Sequence, residues 1–106
     1  MLLTFNVMRY MMGGMIESFR CKDTSALFSG QSVARFVNIR TVAERKLAML
    51  HRSVRLDDLR IPPNNRLEAL KGNRTGQYSI RINDQWRICF GFESGHAFDV
   101  EIVDYH

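Results

Sequence analysis

The closing stretch of the chain, Gly76 to His106, constrains the fold more than any other. Three segments in it alternate apolar and polar positions: Gln77 to Ile82, Trp86 to Phe92, and Ala97 to Val103. A period of two places one face of each segment in a core and the other outside, which is the signature of a half-buried strand. The breaks, Asn83-Asp84-Gln85 and Glu93-Ser94-Gly95-His96, are short and turn-prone. Loops this short permit only antiparallel pairing, because a parallel return needs a crossover of roughly a dozen residues or more. The stretch therefore predicts an antiparallel meander. It runs straight into Asp104-Tyr105-His106, three side chains capable of chemistry.

The upstream chain supplies the cover for this sheet. Met15 to Lys22 alternates through Ile16, Phe19 and Cys21 and reads as a further strand. Asp23-Thr24-Ser25 is a helix-start cluster, with Ala26-Leu27-Phe28 as a short helix closed at Ser29-Gly30. A long helix is expected from Ser32 to about Ser53. Phe36, Ile39, Ala43, Leu47 and Leu50 form its apolar stripe, widened by Val37 and Val42. Arg35, Arg40, Glu44, Arg45 and Lys46 lie off the stripe, and Arg40 and Glu44 have the spacing of an ion pair. Asp57-Asp58 and Pro62-Pro63-Asn64-Asn65 then mark a loop, with Leu59 and Ile61 directed into the core. The two prolines exclude helix there. Arg66 to Gly72 reads as a short extended or turn-like piece, and Asn73 to Gly76 as the turn into the meander. The fold class is α+β: an antiparallel sheet of about four strands with two N-terminal helices packed on one face.

With 106 residues, 45% hydrophobic and 25% charged, the chain suits one domain with one core. Its net charge of +4 favours a polyanionic partner: RNA, DNA or an acidic protein. Cys21 and Cys89 match no metal spacing and make no disulfide framework; they read as small buried side chains of a protein in a reducing cytoplasm. Met1 to Gly14 has a different texture. It is methionine-rich, its apolar part is too short to span a bilayer, and it lacks the basic start and cleavage site of a signal peptide. It reads as an appended segment outside a single domain at 15–106; an extra strand or short helix packed on the domain is the alternative. No membrane association is expected.

The chemistry gathers on the meander. Lys71 and Arg74 precede it, Arg81 and Arg87 project from its strands, and Tyr105 and His106 close it. Arg87 follows Trp86, so the two point to opposite faces. If Trp86 packs under the helices, Arg87 faces the open side. Such a set suits phosphodiester cleavage in RNA without a metal or other cofactor. Lysine and arginine neutralise the crowded phosphate, histidine exchanges protons near neutrality, and tyrosine bonds a phosphate oxygen or stacks on a base. Each residue also has an ordinary reading: a turn lysine, a cross-strand ion-pair arginine, an edge aromatic, a terminal histidine. His51 and His96 read as structural or solvated.

Three runs add a family resemblance. Arg66 to Arg74 (RLEALKGNR), Ser79 to Phe90 (SIRINDQWRICF) and Asp99 to His106 (DVEIVDYH) together resemble HigB-type toxins of the RelE/ParE superfamily, over Met15 to His106. The resemblance implies a RelE-like fold and a type II toxin that cleaves mRNA in the A site of the 70S ribosome without a metal. It implies a HigA-like helix-turn-helix antitoxin that neutralises the toxin and co-represses the operon, so operator DNA is met only through the antitoxin. The family's functional positions fall on Lys71, Asp104, Tyr105 and His106, with Arg87 as the phosphate-stabilising arginine and Arg74, Arg81 and Glu68 toward the RNA. One departure stands out: some family members have histidine where this chain has Glu68, in a His-Pro-Leu-Lys-Gly run. Glu68 then serves as a base or lowers the local positive charge, and a weaker or differently tuned nuclease follows. Two other readings stay open, a ParE-like gyrase poison and a ribosome- or RNA-binding inhibitor that does not cleave.

Overall fold

The computed structural model describes residues 15–105. Met1 to Gly14, expected as an appended segment, and the candidate residue His106 lie outside the described residues. The elements are β1 (Met15–Ile16), α1 (Lys22–Phe28), α2 (Arg40–Arg52), β2 (Glu68–Ala69), β3 (Tyr78–Arg81), β4 (Trp86–Glu93) and β5 (His96–Asp104). The sheet order is β1-β5-β4-β3-β2. The meander is as expected: β3 pairs antiparallel with β4, and β4 with β5.

The sheet has five strands rather than about four, and it is mixed, because β1 lies parallel to β5. The strand expected from Met15 is present as β1, and the fifth strand is β2, whose two residues are too few for a period of two to show itself. The first strand does not run to Lys22. After Ile16 the regular ladder gives way to an isolated bridge, Phe19 to Val100, before α1 begins.

The Asp23-Thr24-Ser25 cluster sits inside α1 rather than at its start, and the helix has no side-chain cap. Thr24 is buried, and its hydroxyl accepts from the Ile102 amide at 3.0 Å, tying α1 to β5. The expected long helix divides into a 3-10 turn at Ala34–Phe36 and α2 at Arg40–Arg52. Ile39, with φ −117° and ψ 4°, breaks the run. Arg40 secures the break by donating to Ser32 Oγ at 2.8 Å and to the Gly30 carbonyl at 3.1 Å. The Arg40–Glu44 pair forms at 3.2 Å.

All five stripe residues, Phe36, Ile39, Ala43, Leu47 and Leu50, are buried despite the break. They meet Ile80, Ile88, Phe90, Val100 and Ile102 from the sheet in one core. Each fully buried large apolar side chain contributes about 1.5–3 kcal/mol. Val37 and Ile61 fall outside it, exposed by 68% and 75%, because each lies on the outward side of a turn rather than a regular helix or strand. Lys46, expected on the outer face, is buried. Its Nζ donates to the Arg81 carbonyl at 2.8 Å, and burial together with Arg45, Arg81 and Arg87 lowers its pKa.

A β-bulge interrupts the β4–β5 ladder between Cys89 and Gly91, with an extra residue on β5. Asp99 takes φ 53° there, and its amide donates to Ser18 Oγ at 2.9 Å. The bulge resets the phase of β5, so Val100 and Ile102 face the helices while Glu101 and Val103 face away. Opposite Phe98, Gly91 is required by space: a Cβ there would lie 2.3 Å from the phenyl ring. Both cysteines are free, and burial pushes the Cys89 thiol up.

Candidate active site

The helix-free face of the sheet can be read from the register. Residues directly opposite each other on paired strands share a face. Arg81 lies opposite Arg87 and Ser79 opposite Cys89 on β3–β4; Arg87 lies opposite Val103 and Cys89 opposite Glu101 on β4–β5; Glu68 lies opposite Ser79 on β2–β3. Trp86 packs edge-on against Phe36 under the helices, at 5.6 Å between centroids, so Arg87 points to the open side.

Arg87 is the centre of this face, yet it is only 9% exposed. Its Nε donates to Ser79 Oγ at 2.7 Å and its Nη2 to the Arg66 carbonyl at 2.7 Å, with Glu68 Oε1 at 3.5 Å from Nη2. The guanidinium thus lies flat across β3 and braces the sheet margin at Arg66 to Glu68. Among the described residues, Nη1 takes no acceptor. The Glu68 side chain is 58% exposed, so its loose pair with Arg87 stabilises by less than about 1 kcal/mol. Its carboxylate is nonetheless held beside the buried cation and open to solvent.

The other candidates take distinct places. Arg81 contacts Asp84, while its carbonyl receives Lys46. Arg74 donates to Gln77 Oε1 at 3.1 Å and approaches Glu101 at 3.4 Å, a carboxylate shared with Arg20 at 3.9 Å. Tyr105 is 42% exposed, and its amide donates to the Gln85 carbonyl at the tip of the β3–β4 hairpin. That places it one strand repeat, roughly 7 Å, beyond Val103. Asp104 lies opposite Trp86, on the helix-facing side at the sheet margin, and accepts from Gln85 Nε2 at 3.1 Å. Lys71 is exposed just past β2, where the Leu70 amide donates to the Gln77 carbonyl at 2.8 Å.

The structure therefore brings Glu68, Arg81 and Arg87 together, with Tyr105 at the near end of their row. Lys71 stands at the opposite end of β3 from Tyr105. The five steps from Gln77 to Ile82 separate the two ends by roughly 16 Å at about 3.3 Å per residue. Two parts of the site were not anticipated: Ser79 and the Arg66 carbonyl, the acceptors that fix Arg87. Ser79 was detectable in principle, as the small polar residue two before Arg81 on the same face. Among the described residues, no three His, Cys, Asp or Glu side chains stand together in a way that could hold a metal ion. His51 and His96 are structural. His51 Nδ1 accepts from the Ile16 amide at 3.1 Å, its ring lies 5.2 Å from Phe28, and burial lowers its pKa. His96 Nδ1 lies 2.8 Å from Glu17.

A family model described as the RelE-like toxin of the type II toxin–antitoxin system HigB matches residues 17–106. The chain belongs to the HigB-like toxin family. Toxin HigB-1 of Vibrio cholerae is 47% identical over 55 residues, covering 52% of this chain and 58% of that protein. An uncharacterised protein of Haemophilus influenzae is 42% identical over 60 residues, 57% of this chain and 59% of that one. Endoribonuclease HigB of Proteus vulgaris is 44% identical over 41 residues, 39% of this chain and 45% of that one. The matched stretches thus span about half the length of these relatives. For this HigB-like toxin the family match contains every candidate site residue, from Glu68 to His106. Among the described residues, no helix is long and apolar enough to cross a membrane.

Proposed function

We propose that this HigB-like toxin is a metal-independent endoribonuclease that cuts mRNA in the A site of the 70S ribosome, in the cytoplasm. The observation that carries the reading is the Glu68–Arg87–Arg81 row beside Tyr105 on the helix-free face, in a chain of this family. The printed name of the Proteus vulgaris relative, an endoribonuclease, supports it.

In this reading Glu68 accepts the proton of the RNA 2′-hydroxyl, and the freed oxygen attacks the adjacent phosphorus. Arg87, through Nη1, meets the charge that builds on the phosphate oxygens, where a fixed cation in a poorly hydrated place acts most strongly. Arg81 and Arg74 hold the flanking backbone. The P–O5′ bond breaks, and the leaving oxygen takes its proton from His106. Tyr105 positions the scissile nucleotide, and Asp104 orients His106 or contacts RNA. Lys71 bears on the strand from the β2 end, so the RNA lies along β3. A HigA-like helix-turn-helix antitoxin neutralises the toxin and carries it to operator DNA.

The test is to map mRNA 5′ ends in a purified translation system with and without the protein. New ends that need ribosomes, and are lost in Lys71→Ala and His106→Gln, are expected. The same two variants should abolish growth arrest while still binding antitoxin; unchanged toxicity in both sinks the assignment. Intact mRNA together with DNA-damage signalling points instead to gyrase. Ribosome binding without new ends points to an inhibitor that does not cleave.

A further inference from the structure

Among the described arginines outside the candidate site, Arg20, Arg35, Arg40 and Arg60 have a carboxylate partner, and Arg45, Arg52, Arg55 and Arg66 do not. Arg45, Arg52 and Arg66 are exposed. They are also neighbours. Arg45 and Arg52 are seven residues apart on α2, two turns along the same side, roughly 10 Å apart. Met49 lies between them, half-buried. Asn65 is fully buried, and its Nδ2 contacts Met49 Sδ at 3.2 Å and the Leu59 carbonyl at 3.0 Å. The Pro63–Asn65 turn is thereby held against this side of α2, with Arg66 next in the chain. The Arg66 carbonyl in turn receives Arg87. Uncompensated positive charge thus runs from α2 around the β2 margin toward the open face.

We propose that Arg45, Arg52 and Arg66 form a docking surface for the phosphate backbone of folded RNA, separate from the residues that cut; the proposal rests on the ribosome-dependent reading above. Unpaired arginines need no internal ion pair broken before they take a phosphate, and their planar fork matches its oxygens. An acidic protein fits this patch less well. Protein interfaces rely on aromatic or aliphatic anchors at their centre. The exposed large hydrophobics among the described residues are Val37, Val54, Ile61 and Tyr105, and none lies between Arg45 and Arg52 on α2. Phosphate contacts need charge alone.

The experiment measures binding of the full chain to purified bacterial ribosomes across a salt series. Lys71→Ala is present in every sample so that cleavage does not interfere. Arg45→Gln/Arg52→Gln/Arg66→Gln should bind at least tenfold more weakly near physiological salt. The slope of log affinity against log salt should become shallower by roughly 2–3, at about 0.7–0.9 per lost phosphate contact. Its melting temperature should match the parent's. Unchanged affinity and slope overturn the proposal. So does loss of antitoxin binding with ribosome binding intact, which would make the patch a protein interface. A parent that binds ribosomes through these arginines but cuts no mRNA leaves the docking surface standing and removes the nuclease reading.

Discussion

Arg87→Lys keeps the charge and removes the fork, and it should damage the fold as well as the chemistry. Arg87 makes two charge-assisted bonds of 2.7 Å, to Ser79 Oγ and to the Arg66 carbonyl, from a position only 9% exposed. Each such bond contributes about 1.5–3 kcal/mol. A lysine ammonium reaches one of these acceptors and leaves the other unsatisfied, so the expected loss is about 2–3 kcal/mol. In a domain of this size that lowers the melting temperature by about 10–20 °C. Glu68→Gln is the control. It touches the same guanidinium from 3.5 Å with a side chain 58% exposed, and the change should stay below about 1 kcal/mol. Thermal unfolding by far-UV circular dichroism reads both, with growth arrest scored in parallel. Arg87→Lys melting within about 3 °C of the parent, with activity lost, would refute the bracing argument and make Arg87 a substrate contact alone.

Gly91→Ala forces a methyl to within 2.3 Å of the Phe98 ring and should cost about 1–3 kcal/mol by chemical denaturation. Adding Phe98→Ala should recover part of that loss, and a strictly additive pair would show that the ring is not the obstacle. His51 must be neutral at Nδ1 to accept from Ile16, and burial holds its pKa below the usual value. The unfolded chain therefore takes up the proton first. The stabilisation is complete above about pH 6.5 and is lost as pH falls from there through the lowered folded value. Urea midpoints between pH 7.5 and 5 should fall more steeply for the parent than for His51→Ala, and parallel curves would remove His51 from the argument.

What could be seen in the sequence follows from the range of the forces involved. The meander was legible because short polar turns force neighbouring strands together, and Phe36, Ile39, Ala43, Leu47 and Leu50 went where their spacing sent them while Val37 did not. Lys46 could not be placed by spacing. Its burial depends on the Arg81 carbonyl, 35 residues away, and no local pattern records that. The same limit applies to β2 and to the parallel pairing of β1 with β5, which are set by contacts with distant strands. In the site, alternation put Arg81 and Arg87 on one face. It could not show that Ser79 and the Arg66 carbonyl would hold the guanidinium. Nor could it show that Lys71 and Tyr105 stand at opposite ends of β3, because that depends on the direction in which β2 joins the sheet.

The place of β5 in the strand order has a consequence for synthesis. This strand, near the end of the chain, lies between β1 and β4 and also anchors α1 through Thr24. Until it emerges, β1 has no partner, α1 loses its tie to the sheet, and Tyr105 has yet to be made. Contacts this distant in sequence form late. A nascent chain stalled before β5 therefore lacks both the pairing of β1 and the anchor of α1, and the sheet closes only once β5 has been made.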